Sequence, residues 1–438
     1  MSDIPSTTAS GDGILKPRQL VVLALPALMI GVLSALILWI LDVAAEALEH
    51  LIWTTAPGAM GIDPSSWWYI VGILTITGVL VALVVQFAPG RGGHDSATVE
   101  FLAPVVKLSA LPGIAIVIVL GLAGGVSLGP ESPIISINTA IAVALLARLA
   151  PKISSEFPIM MTAAGTIGAM FGTPVAAALV FTGLVAAATK GGHLWDRMFL
   201  PLTAAGASAV TMVLLGGGTM VVHVPSYGSP HPLDLLTGSA VAVGAGAIAI
   251  AAIVIFPHAH RLFHRLGRPV LYITVGGVVL GILGAIGGPI TLFKGLHQMQ
   301  HLVEDRAHFG GGALLAIALL KLLALVVAAA AGFRGGRVFP AVFVGVALGL
   351  LGHLLLPGLP VGLAVACGVL GLTLAVSRDG WLSLFMAVAV TGDITVLPVL
   401  CIIVLPTWLL ITGAPEMIIH AKPTVPSDAL SVQVTRRD

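Results

Sequence analysis

The stretch Gly129-Pro130-Glu131-Ser132-Pro133 sets one carboxylate among prolines in the middle of an apolar region. A long apolar segment stops at the glycine, and the prolines then open a new helix, since a proline loses nothing in a first turn whose N–H would be unpaired anyway. The free amides of that turn and the positive end of the helix dipole make such a start an anion site. Gly129, Pro130 and Ser132 are therefore candidate anion-binding residues. Glu131 is a candidate gate: its carboxylate can occupy the site, be displaced by a passing anion, or be neutralised by a proton. The simpler alternative is that Glu131 only complements the helix dipole. The apolar flanks favour the functional reading, because acids inside apolar spans are functional by default.

A second break reads Gly332-Phe333-Arg334-Gly335-Gly336-Arg337-Val338-Phe339-Pro340. Its glycines permit unusual backbone angles and close approach to an ion. Gly336, Arg337 and the free amides of Val338 and Phe339 are candidate anion contacts at a second helix start. The alternative puts Arg334 and Arg337 at the membrane surface. A third glycine-rich turn, Gly90-Arg91-Gly92-Gly93-His94-Asp95, offers Gly90, Arg91 and Gly92 as a further anion-facing loop, or as a plain polar turn. Lys321 and Lys294, each within an apolar stretch, read as structural residues that snorkel or bind carbonyls. His193, His353 and the histidines of 258–264 read as loop or interfacial residues without metal-ligand spacing. Cys367 and Cys401 read as small buried hydrophobes. No metal site and no cofactor is expected.

The elements that must position these residues are membrane helices. Of 438 residues, 58% are hydrophobic and only 9% charged, with a mean hydropathy of +1.08, against roughly 25% charged in soluble domains. A bilayer removes the demand for a charged surface. The net charge of +1 gives no reason to expect nucleic acid. Apolar runs long enough to span, or nearly so, occupy 20–41, 68–87, 111–128, 199–216, 235–256, 270–287, 312–331, 341–356, 359–376 and 394–412. Shorter pieces lie at 133–150, 159–171, 174–189 and 381–391. A span needs about 20 residues, so short, tilted and broken helices are expected among these fourteen or so pieces. The fold class is all-α integral membrane.

The first fifteen residues are polar, which predicts an uncleaved first span. Basic residues at Lys16 and Arg18, in 258–268 (Arg261, Arg265, Arg268) and in the tail (Lys422, Arg436, Arg437) predict cytoplasmic termini by the positive-inside rule. The expected organisation is a tail over 1–19, a membrane domain over 20–413 and a tail over 414–438. Glycine-rich breaks recur at 124–138 and 332–345, and again at 171–181 and 377–388. Such doubling predicts two inverted repeats, about 20–216 and 235–412, joined through a basic loop near 258–268, with a site at the midplane.

These segments, in this order, resemble the CLC chloride channel and transporter family over about residues 20–412. Its GSGIP-like, GxEGP and GxFxP loops are matched by GRGGHD at 90–95, GPESP at 129–133 and GRVFP at 336–340, and its TLLLK-like helix by ALLKLLAL around Lys321. The less studied bacterial branch of ion-transport proteins is the best match in wording. The resemblance implies a CLC-like fold, a homodimer with one anion path per subunit, Glu131 as gating glutamate, and ion contacts from the Val338 and Phe339 amides. This chain departs from the pattern. Ser132 replaces the GxEGP glycine, and Val338 stands where GxFxP has phenylalanine. Arg91 falls at the position of the ion-contacting serine, and His94 at that of the proline. The late pore tyrosine has no counterpart. The inward-facing glutamate of proton-coupled members falls at Gly183 or Leu184, and no acid lies between Glu156 and Asp196.

The expected function is transport of a small inorganic anion, chloride by default, by a multi-pass protein of the cell membrane in contact with lipid. Fluoride or another anion, exchanged with atypical proton or sodium coupling, is the alternative. A membrane-embedded enzyme is remote, because HExxH, GxSxG and P-loop motifs are missing. A non-transporting structural protein is the third possibility.

Overall fold

The computed structural model describes residues 17–99, 104–151, 153–187, 194–217 and 220–419. Most of both expected tails, and His193, lie outside the described residues.

Helices carry the whole architecture. The first half runs α1 (Pro17–His50), α2 (Ala56–Met60), α3 (Trp67–Phe87), α4 (Leu111–Ala123), α5 (Glu131–Leu149), α6 (Glu156–Phe171), α7 (Pro174–Ala187) and α8 (Leu194–Leu214). The second runs α9 (Pro232–His264), α10 (Pro269–Gly287), α11 (Leu296–Glu304), α12 (Gly311–Ala330), α13 (Val338–Leu355), α14 (Val361–Ser377), α15 (Gly380–Thr391) and α16 (Leu397–Ile411). Among the described residues, nine helical stretches are long and apolar enough to cross a membrane, and shorter apolar helices cover Leu108–Ala123, Val361–Ser377 and Gly380–Thr391.

Small residues let the backbones meet. Helix α3 packs along α10, and α13 along α14. A Cβ on Gly78 would stand 3.0 Å from the Gly277 Cα, so these two helices touch main chain to main chain. The broken positions have local causes. Helix α4 ends at Gly124 and Gly125, the latter at φ +88°, and α12 ends before Gly332 at φ +80°. The chain then runs irregularly until Pro130 and Glu131 open α5, and Val338 opens α13 with Pro340 in its first turn.

Three expectations need correction. Helix α1 continues beyond residue 41 to His50, because Asp42, Glu46 and Glu49 end the apolar run without ending the helix. Residues 258–264 are the last turns of α9 and not a loop. His258 Nδ1 lies 3.0 Å from the Val254 carbonyl, and the Arg261 Nε donates to the Pro257 carbonyl at 3.3 Å, so these polar side chains fold back on their own helix. The turn after them joins α9 to α10 inside the second half, whereas 215–231 connects α8 to α9. Helix α11, LHQMQHLVE, went unpredicted because its hydropathy is that of a loop.

Candidate functional site

The two central helix starts meet. Gly129 and Gly336 pair as an antiparallel bridge: the Gly129 amide donates to the Gly336 carbonyl at 2.8 Å, and the Gly336 amide to the Gly129 carbonyl at 2.7 Å. This bridge sets the first turns of α5 and α13 against each other. Glu131, 1% exposed, reaches across it, and its Oε1 accepts the Phe339 amide at 3.1 Å. The Val338 amide and the amide of Glu131 itself face the same carboxyl. The other oxygen, Oε2, has no protein partner. A side chain on either Gly129 or Gly336 would collide with the Glu131 carboxylate. Two helix dipoles and several free amides thus converge on one buried carboxylate.

A cavity lies on each side. One, small and partly open, is lined by Glu131, Ser132, Gly335, Gly336, Arg337 and Ser377, among others. The other, also small, is lined by Pro130 and Phe339 together with Asp42, Glu46, Lys294 and His297. Glu131 lines the first cavity, and Pro130 and Phe339, its sequence neighbour and its amide donor, line the second. Phe339 also stacks on Phe171, centroids 6.1 Å apart, and Phe171 meets the edge of Phe385 at 5.9 Å, so aromatic rings wall one side.

Of the candidates read from sequence, Gly129, Pro130, Glu131, Ser132, Gly336, Arg337, Val338 and Phe339 come together here. Arg337 is buried, at 8% exposure, and the Arg334 side chain, also 8% exposed, pairs with Asp95. Gly90, Arg91 and Gly92 do not reach either cavity. They turn tightly with positive φ, Gly90 packing on Ala110 and Gly92 between Val85 and Val117. The first loop instead touches the site through residues the sequence did not single out. The Ser96 Oγ donates to the carbonyls of Phe333 (2.6 Å) or Gly335 (2.9 Å) and accepts the Gly335 amide at 2.8 Å. Asp95 Oδ2 pairs with Arg334 Nη1 at 3.3 Å. A hydroxyl followed by a small-residue turn was the available signal, but its partners lie 237 and 239 residues away.

Lys321 is structural, as expected. Fully buried, it donates to the carbonyls of Thr291 (3.0 Å), Leu292 (2.7 Å) and Phe293 (2.6 Å). The three tyrosines are engaged elsewhere: Tyr69 with the Ile52 carbonyl, Tyr227 with Asp234, and Tyr272 stacked on His264. Tyr227 lies in the connector after α8, and burial beside the Asp234 carboxylate pushes its phenol well above the ordinary range. Among the described residues, no group of three or more His, Cys, Asp or Glu is placed to hold a metal.

A buried carboxylate across two opposed helix starts, in a polytopic helical fold, defines a membrane protein of the anion-transporting class. The family model for the voltage gated chloride channel matches residues 73–410, and the chain belongs to that family. Two relatives in Escherichia coli, from strains 55989 / EAEC and K12 / DH10B, both named "Putative ion-transport protein YfeO", are 47% identical over 405 residues, covering 92% of this chain and 96% of theirs. Among solved structures, a CLC-type fluoride/proton antiporter superposes with a TM-score of 0.69 at 18% identity, covering 92% of this chain and 98% of its own. A slow cyanobacterial Cl⁻/H⁺ antiporter gives 0.71 at 17% identity, covering 92% and 96%. The fold is thus CLC-like, and the family's activity is anion transport across membranes.

Proposed function

We propose that this chain carries a small inorganic anion, chloride first and fluoride second, along the path between the two cavities, with Glu131 as its gate. The observation that carries the reading is the Phe339 amide donating to Glu131 Oε1 at 3.1 Å: a protein carboxylate occupies the place a free anion would take. The bridged glycines, and Ser132, Arg337 and Val338 beside them, support a binding site there. Displacement of the carboxylate by an anion, or its protonation, opens the path. The protein acts as a homodimer in the cell membrane, with both termini in the cytoplasm and repeats over about 20–216 and 235–412. It is a transport protein and performs no chemistry on its anion.

Coupling to protons is the second reading, favoured by the two antiporters that share the fold. The position expected for an internal acid falls at Gly183 or Leu184 in α7, so a coupled exchanger would need another acid.

The test is anion loss from liposomes loaded with chloride or fluoride, with the potential clamped by a potassium ionophore and external pH recorded. Flux without proton movement indicates a channel, and opposing proton flow an exchanger. Wild-type flux should rise as pH falls, because protonation removes the blocking charge. Glu131→Gln and Glu131→Ala should abolish that dependence and leave a constant leak. Unchanged flux and pH response in both variants would remove Glu131 from the gate, and no flux of either anion from folded wild type would sink the transport reading.

A further inference from the structure

The cavity on the Pro130 and Phe339 side has an unusual charge pattern for an anion path. Helix α1 turns Asp42, Glu46 and Glu49 towards it and the adjoining cavity, at spacings of four and three residues that share one helix face. Against these carboxylates, Lys294 is, among the described residues, the sole lysine or arginine lining either cavity, with His297 beside it. Its Nζ lies 3.2 Å from Asp42 Oδ1, the two side chains 18% and 21% exposed. An anion approaching Glu131 from this side meets a net negative wall with one cation in it. Lys294 is also close enough to interact electrostatically with Glu131 itself.

The backbone around Lys294 is held at some cost. Phe293 has φ +60° and Gly295 φ +97°. A non-glycine residue in that region carries about 1–2 kcal/mol of strain, and such strain persists only where surrounding contacts enforce it. Here they are numerous. The Phe293 amide donates to the Gly125 carbonyl at 3.1 Å, its carbonyl accepts from Lys321, and its ring meets the edge of Trp53 at 5.5 Å. The Trp53 Nε1 in turn donates to the Ala123 carbonyl at 2.9 Å. A Cβ at position 295 would stand 2.9 Å from that of Phe343. An ion pair needed only to tie α1 to this loop would not require so constrained a backbone. The constraint aims one ammonium group into the cavity that Pro130 and Phe339 close.

We propose that Lys294 is the residue that draws anions to the Glu131 site from this side, and that Asp42, by pairing with it, sets how much of its charge an incoming anion meets. The inference rests on the anion path proposed above. Focused charge in a low-dielectric cleft changes encounter rates by about ten- to a thousandfold, and it is screened by salt.

The experiment is initial anion efflux from proteoliposomes containing wild type, Lys294→Gln or Asp42→Asn, at ionic strengths of about 0.01 and 1 M set with gluconate. At low ionic strength Lys294→Gln should be slower by about tenfold and Asp42→Asn faster by several-fold, and at high ionic strength all three should agree to within about twofold. Wild-type flux with no response to either substitution overturns the proposal and leaves the Glu131 path intact; no wild-type flux at all removes the path on which it rests. A loss in Lys294→Gln that persists at high ionic strength, or an equal loss in Asp42→Asn, makes the pair a structural tie and overturns the assignment.

Discussion

Gly129 and Gly336, 207 positions apart in the numbering, exchange two backbone hydrogen bonds at 2.8 and 2.7 Å, and the Glu131 carboxylate fills the space above both α-carbons. Neither position can carry a side chain while that carboxylate stays in place. The pairing fixes the distance between two helix starts, and with it the separation of the amides that converge on Glu131.

A methyl group at position 336 should therefore be harmful for one specific reason. Gly336→Ala is expected to destabilise the protein by about 1–3 kcal/mol through overpacking, seen as a lower melting temperature in detergent and reduced efflux. Adding Glu131→Ala removes the carboxylate the methyl meets, leaving the Cβ of residue 131 at 2.9 Å, and should recover part of the melting temperature. If the double variant is no more stable than Gly336→Ala alone, the close fit between glycine and carboxylate is not what matters there.

Ser96 should tie the first loop to the third. Ser96→Ala leaves the buried Phe333 and Gly335 carbonyls without its hydroxyl and the Gly335 amide without an acceptor. Losing such partners costs about 1–3 kcal/mol. Hydrogen exchange at the Gly335 amide should accelerate in the variant, before global stability is lost. Equal protection of that amide in variant and wild type would mean the hydroxyl contributes nothing to the loop.

Arg334 and Asp95, 8% and 21% exposed, form a mostly buried pair. Removing one partner strands the other charge, which costs up to about 3–5 kcal/mol, whereas removing both costs much less. Asp95→Asn and Arg334→Met should each lower the melting temperature more than the combination does. Strict additivity of the two would argue that the charges do not feel each other.

What the sequence made readable was what is local. Gly129, Pro130 and Pro133 interrupt an apolar run, and an acid in that interruption is conspicuous whatever it packs against; Gly336 to Pro340 repeat the pattern. What stayed hidden depends on partners far along the chain. Ser96 is one serine in a polar turn until Phe333 and Gly335 arrive beside it. Asp42 looked like the end of a span, because hydropathy cannot distinguish a helix that stops from one that turns a polar face into a cavity. The nine residues of α11, five polar and four apolar and buried, failed the same criterion for the same reason. Residues 258–264 were misread in the opposite sense: histidines and an arginine suggested a loop, although side chains that bond their own helix carbonyls extend a helix as readily as apolar ones.

Lys321 combines both lessons: ALLKLLAL marks a lysine that snorkels or binds carbonyls, but does not say which carbonyls it binds. Its three acceptors, the carbonyls of Thr291, Leu292 and Phe293, match the three protons of an ammonium group, and the Nζ lies 5.3 Å from the centre of the Phe343 ring. Lys321→Met keeps the length and removes the donors, leaving those carbonyls without this donor beside a strained Phe293. The expected cost is about 2–4 kcal/mol, several times that of a single exposed hydrogen bond. Because the same loop aims Lys294, the variant that still folds should also lose flux at low ionic strength and regain part of it at high ionic strength. An unchanged melting temperature would mean that the loop keeps its shape without the lysine, and the strain at Phe293 would then need another source of restraint.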